Sequence, residues 1–323
     1  MFAVLIRRLL QYALVILVTV SLNFFLPRLM PGNPLVLIAG EEAGLLPPEE
    51  RARILQDAGL DQPLWRQYVT YLGDLVQADW GYSYRQKRPI GEILADRLPW
   101  TLLLTGSSLA LSTVLGVVFG VFAAWRRGQA ADLGVLSFFI FLQSLPSFWL
   151  GMIFIAIFAA QLGWFPTYGA QTAWMSLEGW AKARDILEHL ALPVATLTLV
   201  SVPGTFIVTR YSMLEVLKEE YIRVARAKGL PTVTLMFRHA IRNALLPVVT
   251  VFMLNLGFVF SGATVVETVF SYPGLGRLLF EAVLNRDYPV LQAAFLLITI
   301  SVIIGNILAD LVYPVLDPRV RGR

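Results

Sequence analysis

Residues 98–127 read LPWTLLLTGSSLALSTVLGVVFGVFAAWRR, and no charge interrupts the 28 residues between Arg97 and Arg126. An ionised side chain at the middle of a bilayer costs about 2.5–3.5 kcal/mol, whereas roughly 20 apolar residues cross the hydrocarbon as one helix. The stretch therefore predicts a membrane-spanning helix, and the same test applied outward finds its companions. Residues 9–27, 190–209, 243–266 and 288–309 are charge-free gaps of similar length. Residues 133–177 run for 45 residues without a charge, but apolar density drops at Gly163, Trp164, Phe165 and Pro166. One helix is expected there, at about 134–161, followed by a polar-aromatic loop. Six spans result, and the chain reads as an all-α polytopic membrane protein.

Composition agrees. Of 323 residues 57% are hydrophobic and 15% charged, against roughly 25% charged in an ordinary soluble domain, and mean hydropathy is +0.66. Soluble, disordered and fibrous classes fall away. The absence of cysteine excludes a disulfide framework, thiolate metal sites and cysteine nucleophiles. The net charge of +4 lies between apolar blocks, which argues against nucleic acid as a partner. With six spans both termini share one side. Fourteen basic and five acidic residues fall on that side, against twelve basic and sixteen acidic on the other. Positive residues are retained inside, so both termini are expected in the cytoplasm. The first apolar block exits through Leu26, Pro27 and Arg28 without a small-x-small cleavage site, and is read as a retained helix.

The loops carry helix punctuation. Pro47, Pro48, Glu49 and Glu50 open a short helix that Gly59 closes, with acids at the positive end of its dipole. Leu64, Trp65, Tyr68, Val69, Leu72, Leu75 and Val76 then share one helical face, which suits a packed cap on the outer membrane surface. From Met213 the chain reads MLEVLKEEYIRVARAKGLPTVTLMFRHAIRNALLPVVT. Leu214, Leu217, Tyr221, Val224 and Ala225 are expected to form an apolar stripe, with Lys218, Glu219, Glu220, Arg223 and Arg226 facing away. Gly229, Leu230 and Pro231 stop that helix and a second starts at Thr232. Two short amphipathic helices on the cytoplasmic side suit either docking into a groove on a partner or lying on anionic lipid.

This loop resembles the coupling (EAA) loop of ABC importer permeases, and EYIRVARAKGL and RHAIRNALLPVVT are similar to the dipeptide, oligopeptide and nickel branch, in its B-type permease subunit. The likeness extends through GLDQPLWRQYVTYLGDLVQADWGYS, RLPWTLLLT, LPSFWLGM, VVETVFSYPGLGRLL, RDYPVLQA and LDPRVR, in order. Arg223 and Val224 stand where the generic motif has Glu-Ala, Pro247 lies 18 residues beyond Gly229, and residues 170–188 match nothing in the family pattern.

The resemblance implies the type I importer permease fold, with an extracytoplasmic helical insertion after the first helix. Its parts are 1–29 (N-terminus and first span), 30–97 (outer loop), 98–313 (permease core, with the coupling loop at 213–243) and 314–323 (cytoplasmic tail). It also implies a cytoplasmic (inner) membrane location and a second homologous permease, with a heterodimer favoured. Two cytoplasmic ATPase subunits would bind ATP and magnesium, and an extracytoplasmic solute-binding protein would deliver a peptide or another small solute, nickel among them. On it, Glu219, Tyr221, Ile222, Arg223, Ala225, Ala227, Lys228 and Gly229 are the expected ATPase contact.

No engine of its own is evident. Lys87, Lys182, Lys218 and Lys228 are never preceded by Gly, so there is no Walker A loop. His189 and His239 have no metal-ligand spacing, no Gly-x-Ser-x-Gly elbow occurs, and neither a metal site, a bound cofactor nor catalysis is expected. The rival reading is an ion-coupled secondary transporter using Asp310, the ionisable residue at the end of the sixth span. A purely structural scaffold is the other. For the translocation path the candidates are the polar or small residues within spans: Gln143, Ser144, Asn255, Ser261, Gly262 and Asn306. Close helix packing explains Gly257, Ser261 and Gly262 equally well.

Overall fold

The computed structural model describes residues 2–29, 47–57, 60–83, 85–259 and 263–316. Gly59, Ser261, Gly262, the segment 30–46 and the tail 317–323 lie outside the described residues, as does the side chain of Asp310.

The expected first span falls on α1, Phe2–Leu29. Two shorter helices follow, α2 (Pro48–Asp57) and α3 (Leu64–Val76). A short antiparallel hairpin, β1 (Tyr82–Ser83) with β2 (Arg88–Pro89), leads into α4, Ile90–Trp125. Next come α5 (Ala130–Gln143) and α6 (Ser147–Gln161), then α7 (Gly179–Val216) and α8 (Glu220–Ala227). The chain ends through α9 (Thr232–Phe258), α10 (Thr264–Val269), α11 (Leu275–Leu284) and α12 (Tyr288–Leu316).

Among the described residues four helices, α4, α7, α9 and the Tyr288–Leu308 part of α12, are long and apolar enough to cross a membrane, and Leu10–Phe25 of α1 is a shorter apolar helix. The third span differs from the single helix expected at 134–161. It is two helices, α5 and α6, meeting at 98°. The cause is Pro146, which lacks an amide donor and disfavours helical backbone at Leu145. The last turn of α5 tightens there, the Ser144 and Leu145 amides donating to the Phe141 and Leu142 carbonyls. A second correction concerns the coupling loop: the helix from Thr232 is not short but runs through a π-helical turn, Leu235–Ala240, into the long apolar helix α9.

Close approach of small residues organises the bundle. Gly116 and Gly120 of α4 form a GxxxG face against α7, where an added Cβ would lie 2.6 Å from the Cβ of Thr205 and of Thr209 respectively. Helices α9 and α12 cross at Gly257 and Gly305, and a Cβ on Gly305 would overlap Gly257. Such contacts suit membranes, where helix association rests on packing between backbones. At the outer side α1 is tied to α12 reciprocally: Asn23 donates to the Gln292 carbonyl at 2.7 Å and Gln292 to the Asn23 carbonyl at 2.6 Å.

The α3 stripe is divided between two surroundings. Tyr68 hydrogen-bonds Ser21 at 2.6 Å and stacks on Phe25, and Arg28 donates to Gln67. Leu64, Trp65, Val69 and Val76 face outward instead.

Candidate coupling site

The coupling segment starts where α7 runs out. The amides of Leu217, Lys218 and Glu219 donate to Met213, Glu215 and Val216, making a turn. Glu219 then takes extended backbone, and its carbonyl accepts the amides of Ile222 and Arg223 at 3.1 and 3.2 Å, which starts α8. Glu220 sits in the first turn and Arg226 in the last, each matched to the helix dipole.

Eight residues are too few for a helix to hold itself in water, and packing supplies the rest. Ile222 and Ala225 are buried against Met213 of α7, Val121 and Ala124 of α4, and Leu235 and Met236 of α9. The expected stripe is met in part: Ala225 is buried and Leu214 and Leu217 pack on the same cluster, but Tyr221 and Val224 turn outward and Ile222 takes their place. Tyr221 and Val224 are 40% and 53% exposed while Ile222 is fully buried. The turn at 217–219 breaks the 3.6-residue phase, so a pattern counted continuously from Leu214 places Tyr221 and Val224 inward where Ile222 lies instead.

At its far end α8 closes in a Schellman motif: the Leu230 amide donates to Ala225 and the Gly229 amide to Arg226. Gly229 takes φ +77°, and a Cβ there would touch nothing within 4 Å. Only backbone conformation selects glycine at this position. Tyr221 is fixed from α9, its hydroxyl accepting from Asn243 Nδ2 at 2.7 Å.

Six of the eight expected contact residues thus lie on the surface: Glu219, Tyr221, Arg223, Ala227, Lys228 and Gly229. Ile222 and Ala225 belong to the chain's own core, and Glu220, Val224 and Arg226 join the outward side. A short helix with an aromatic and a valine among charges, braced by three spans, can press into a groove without changing its own shape.

The remaining candidates are dispersed. Gln143 and Ser144 are exposed on the α5–α6 bend, while Asn255 (exposed) and Asn306 (half-buried) flank the Gly257–Gly305 crossing. His189 is buried in α7, its Nδ1 2.8 Å from the Asp185 carbonyl, and His239 sits in the π-helical turn.

Three buried polar sites escaped the sequence reading. Asp132 and Arg210 form a two-pronged ion pair between α5 and α7, at 2.8 and 2.9 Å. A lone acid just past Arg126 and Arg127, and a lone arginine ending an apolar run, were the available signals. At the end of the bundle away from α8 the carboxylate of Glu267 accepts from the amides of Ala263 and Arg277 and the hydroxyl of Thr101, whose oxygen in turn accepts the Leu275 amide at 2.7 Å. Any Cβ on Gly274 would overlap that carboxylate, so the first glycine of the Gly-Leu-Gly in SYPGLGRLL admits Glu267 as the cap of α11, while a Cβ on the second, Gly276, would meet Thr264 at 2.7 Å. Burial raises the Glu267 carboxyl above its ordinary range despite these donors. Asp287 is likewise raised by burial, and accepts from Ser83 Oγ at 2.6 Å, tying the hairpin to α12.

Residues 116–322 match the family model described as binding-protein-dependent transport system inner membrane component, and residues 1–105 match its N-terminal membrane component. The chain belongs to this family. It is 37% identical over 321 residues to the oligopeptide transport system permease protein AppB of Bacillus subtilis, covering 99% of both chains. It is 36% identical over 319 residues to the dipeptide transport system permease protein DppB of Escherichia coli, covering 94% of both. A di/tripeptide permease, DppB of Pseudomonas aeruginosa, is 38% identical over 314 residues. The fold resembles a chain in inward-facing structures of the MetNI methionine ABC transporter, with TM-score 0.55 and 18% identity, covering 70% of this chain and 96% of that one. This permease therefore has the type I importer fold, and its α4–α12 bundle is the membrane component of a transport system.

Proposed function

We propose that the permease forms half of the path by which an ATP-driven importer takes up peptides, with α8 as its contact to a cytoplasmic ATPase. The observation carrying this reading is the outward face of α8, which offers Tyr221, Val224 and Arg223 on a helix too short to stand alone yet fixed to α4, α7 and α9. The near full-length likeness to dipeptide and oligopeptide permeases supports peptide as the solute.

On this reading both termini are cytoplasmic and the membrane is the inner one. A second homologous permease completes the path, and an extracytoplasmic binding protein loads it. ATP and magnesium bind in the partner subunits, where hydrolysis occurs. Closure of the ATPase pair moves α8, and because Ile222 and Ala225 are part of the core shared with three spans, those spans move with it. The cavity between permeases then opens outward, an alternating-access cycle driven by differential contacts in two states. Gln143, Ser144, Asn255 and Asn306 are the polar groups offered to that cavity, along with Ser261 and Gly262.

Co-expression of the tagged chain with its neighbouring genes tests the assignment. Soluble ATPase subunits and a second permease are expected to co-purify, with hydrolysis stimulated by peptide-loaded binding protein. A chain that purifies alone and leaves hydrolysis unchanged would sink it.

A further inference from the structure

The Asp132–Arg210 pair stands between the coupling helix and the bend in the third span. We propose that it is a positioning element that passes displacement of α8 to the α5–α6 bend; the inference rests on the ATP-driven reading above. Arg210 Nε donates to Asp132 Oδ1 at 2.8 Å and Nη2 to Oδ2 at 2.9 Å, and the side chains are only 11% and 2% exposed. The Gly128 amide donates to the same carboxylate at 3.0 Å, so Asp132 also fixes the turn that begins α5.

Position along the helices gives the pair its leverage. Arg210 lies six residues before Val216, where α7 ends, roughly 9 Å along the axis. One turn further on, Met213 is fully buried in the cluster that holds Ile222 and Ala225 of α8. A push on α8 is therefore delivered to the end of α7 that carries Arg210. A guanidinium fork transmits both distance and orientation, because two parallel hydrogen bonds lock the planes of the two groups. Higher up, α5 is held to α7 by Phe139 against Phe206, ring centres 4.6 Å apart. Beyond the 98° bend, Phe158 and Ala159 of α6 belong to the outer cluster with Val266, Phe270 and Tyr272. The pair is thus the cytoplasmic end of a packed line running from α8 to α10.

The competing role is charge compensation alone, in which two opposite charges merely cancel at the membrane boundary. The two roles differ in what geometry they need. Arg210→Lys keeps the charge and loses the fork. Asp132→Asn with Arg210→Gln removes both charges, leaves none uncompensated, and keeps a side-chain oxygen for the Gly128 amide.

The test uses the full assembly and the cysteine-free background of this chain. Ser144→Cys, exposed on the bend, is labelled with a maleimide with and without ATP plus orthovanadate, and co-purification and thermal midpoint are followed in parallel. With the native pair, nucleotide is expected to change the labelling rate. In Arg210→Lys, and in the doubly neutral variant, complexes of unchanged composition and midpoint are expected to lose that response by roughly 2- to 30-fold. An undiminished response in both variants would reduce the pair to charge compensation and overturn the proposal. So would a response that falls only in step with yield and midpoint in both, which marks a structural strut. No nucleotide response with the native pair, in a complex that hydrolyses ATP, would likewise overturn the proposal, whereas an assembled complex without ATP hydrolysis would overturn the ATP-driven reading itself.

Discussion

Gly229 ends α8 with φ +77° and open space where a Cβ would stand. Gly229→Ala is therefore expected to cost about 1–2 kcal/mol of local stability through left-handed backbone strain alone, seen as faster amide exchange in α8 with the spans unaffected. Tyr221→Phe removes the acceptor that Asn243 uses at 2.7 Å and is expected to cost about 0.5–1.5 kcal/mol, read as a lower thermal midpoint in detergent. The glycine was legible in the sequence because its role is a property of its own backbone. The inward direction of Ile222 was not, since it depends on the turn at 217–219, where no proline or glycine announces the change of phase. Asp132 and Arg210 were legible as charges but not as a pair, because 78 residues separate them.

Helix α4 leans on α7 through Gly116 and Gly120, where a Cβ would stand 2.6 Å from Thr205 and Thr209. Gly120→Val is expected to destabilise by about 1–3 kcal/mol through overpacking, seen as reduced yield and midpoint. Gly106→Ala, where a Cβ meets nothing within 4 Å, is the control and is expected to be tolerated. The outer elements make a prediction about pH. Burial raises both Glu267 and Asp287, so the folded chain binds their protons more tightly than the unfolded one. Their contribution to stability is full below about pH 4, the ordinary carboxylate range, and is lost as pH rises through the raised folded values. Melts of wild type and Glu267→Gln across that window are expected to show the wild type losing more stability as pH rises. At this scale charge-free runs announced the spans, since hydrocarbon tolerates no unpaired charge. The bend at Pro146 was written in the sequence too, but an unbroken apolar run hid it.

For the molecule as a whole, the described spans join one end module, where Glu267 and Asp287 tie short elements to α11 and α12, to an opposite module built around α8. The two are connected by α4 and α7, which contribute to the clusters at both ends. The proposed assembly predicts that Tyr221→Ala together with Arg223→Glu lowers ATPase co-purification while the chain still inserts in the membrane; unchanged co-purification would argue against α8 as the contact. A different consequence follows from the division of α8 into an outward face and a face that belongs to the core. In a screen for uptake defects, changes at Ile222 or Ala225 would score beside those at Tyr221 or Val224. Their second-site revertants would not. Defects of the outward face are expected to be corrected by mutations in the ATPase gene, whereas those of the inward face should revert within this chain, at neighbours such as Met213 or Leu235. Inheritance of the suppressor would then report which side of one eight-residue helix had been damaged.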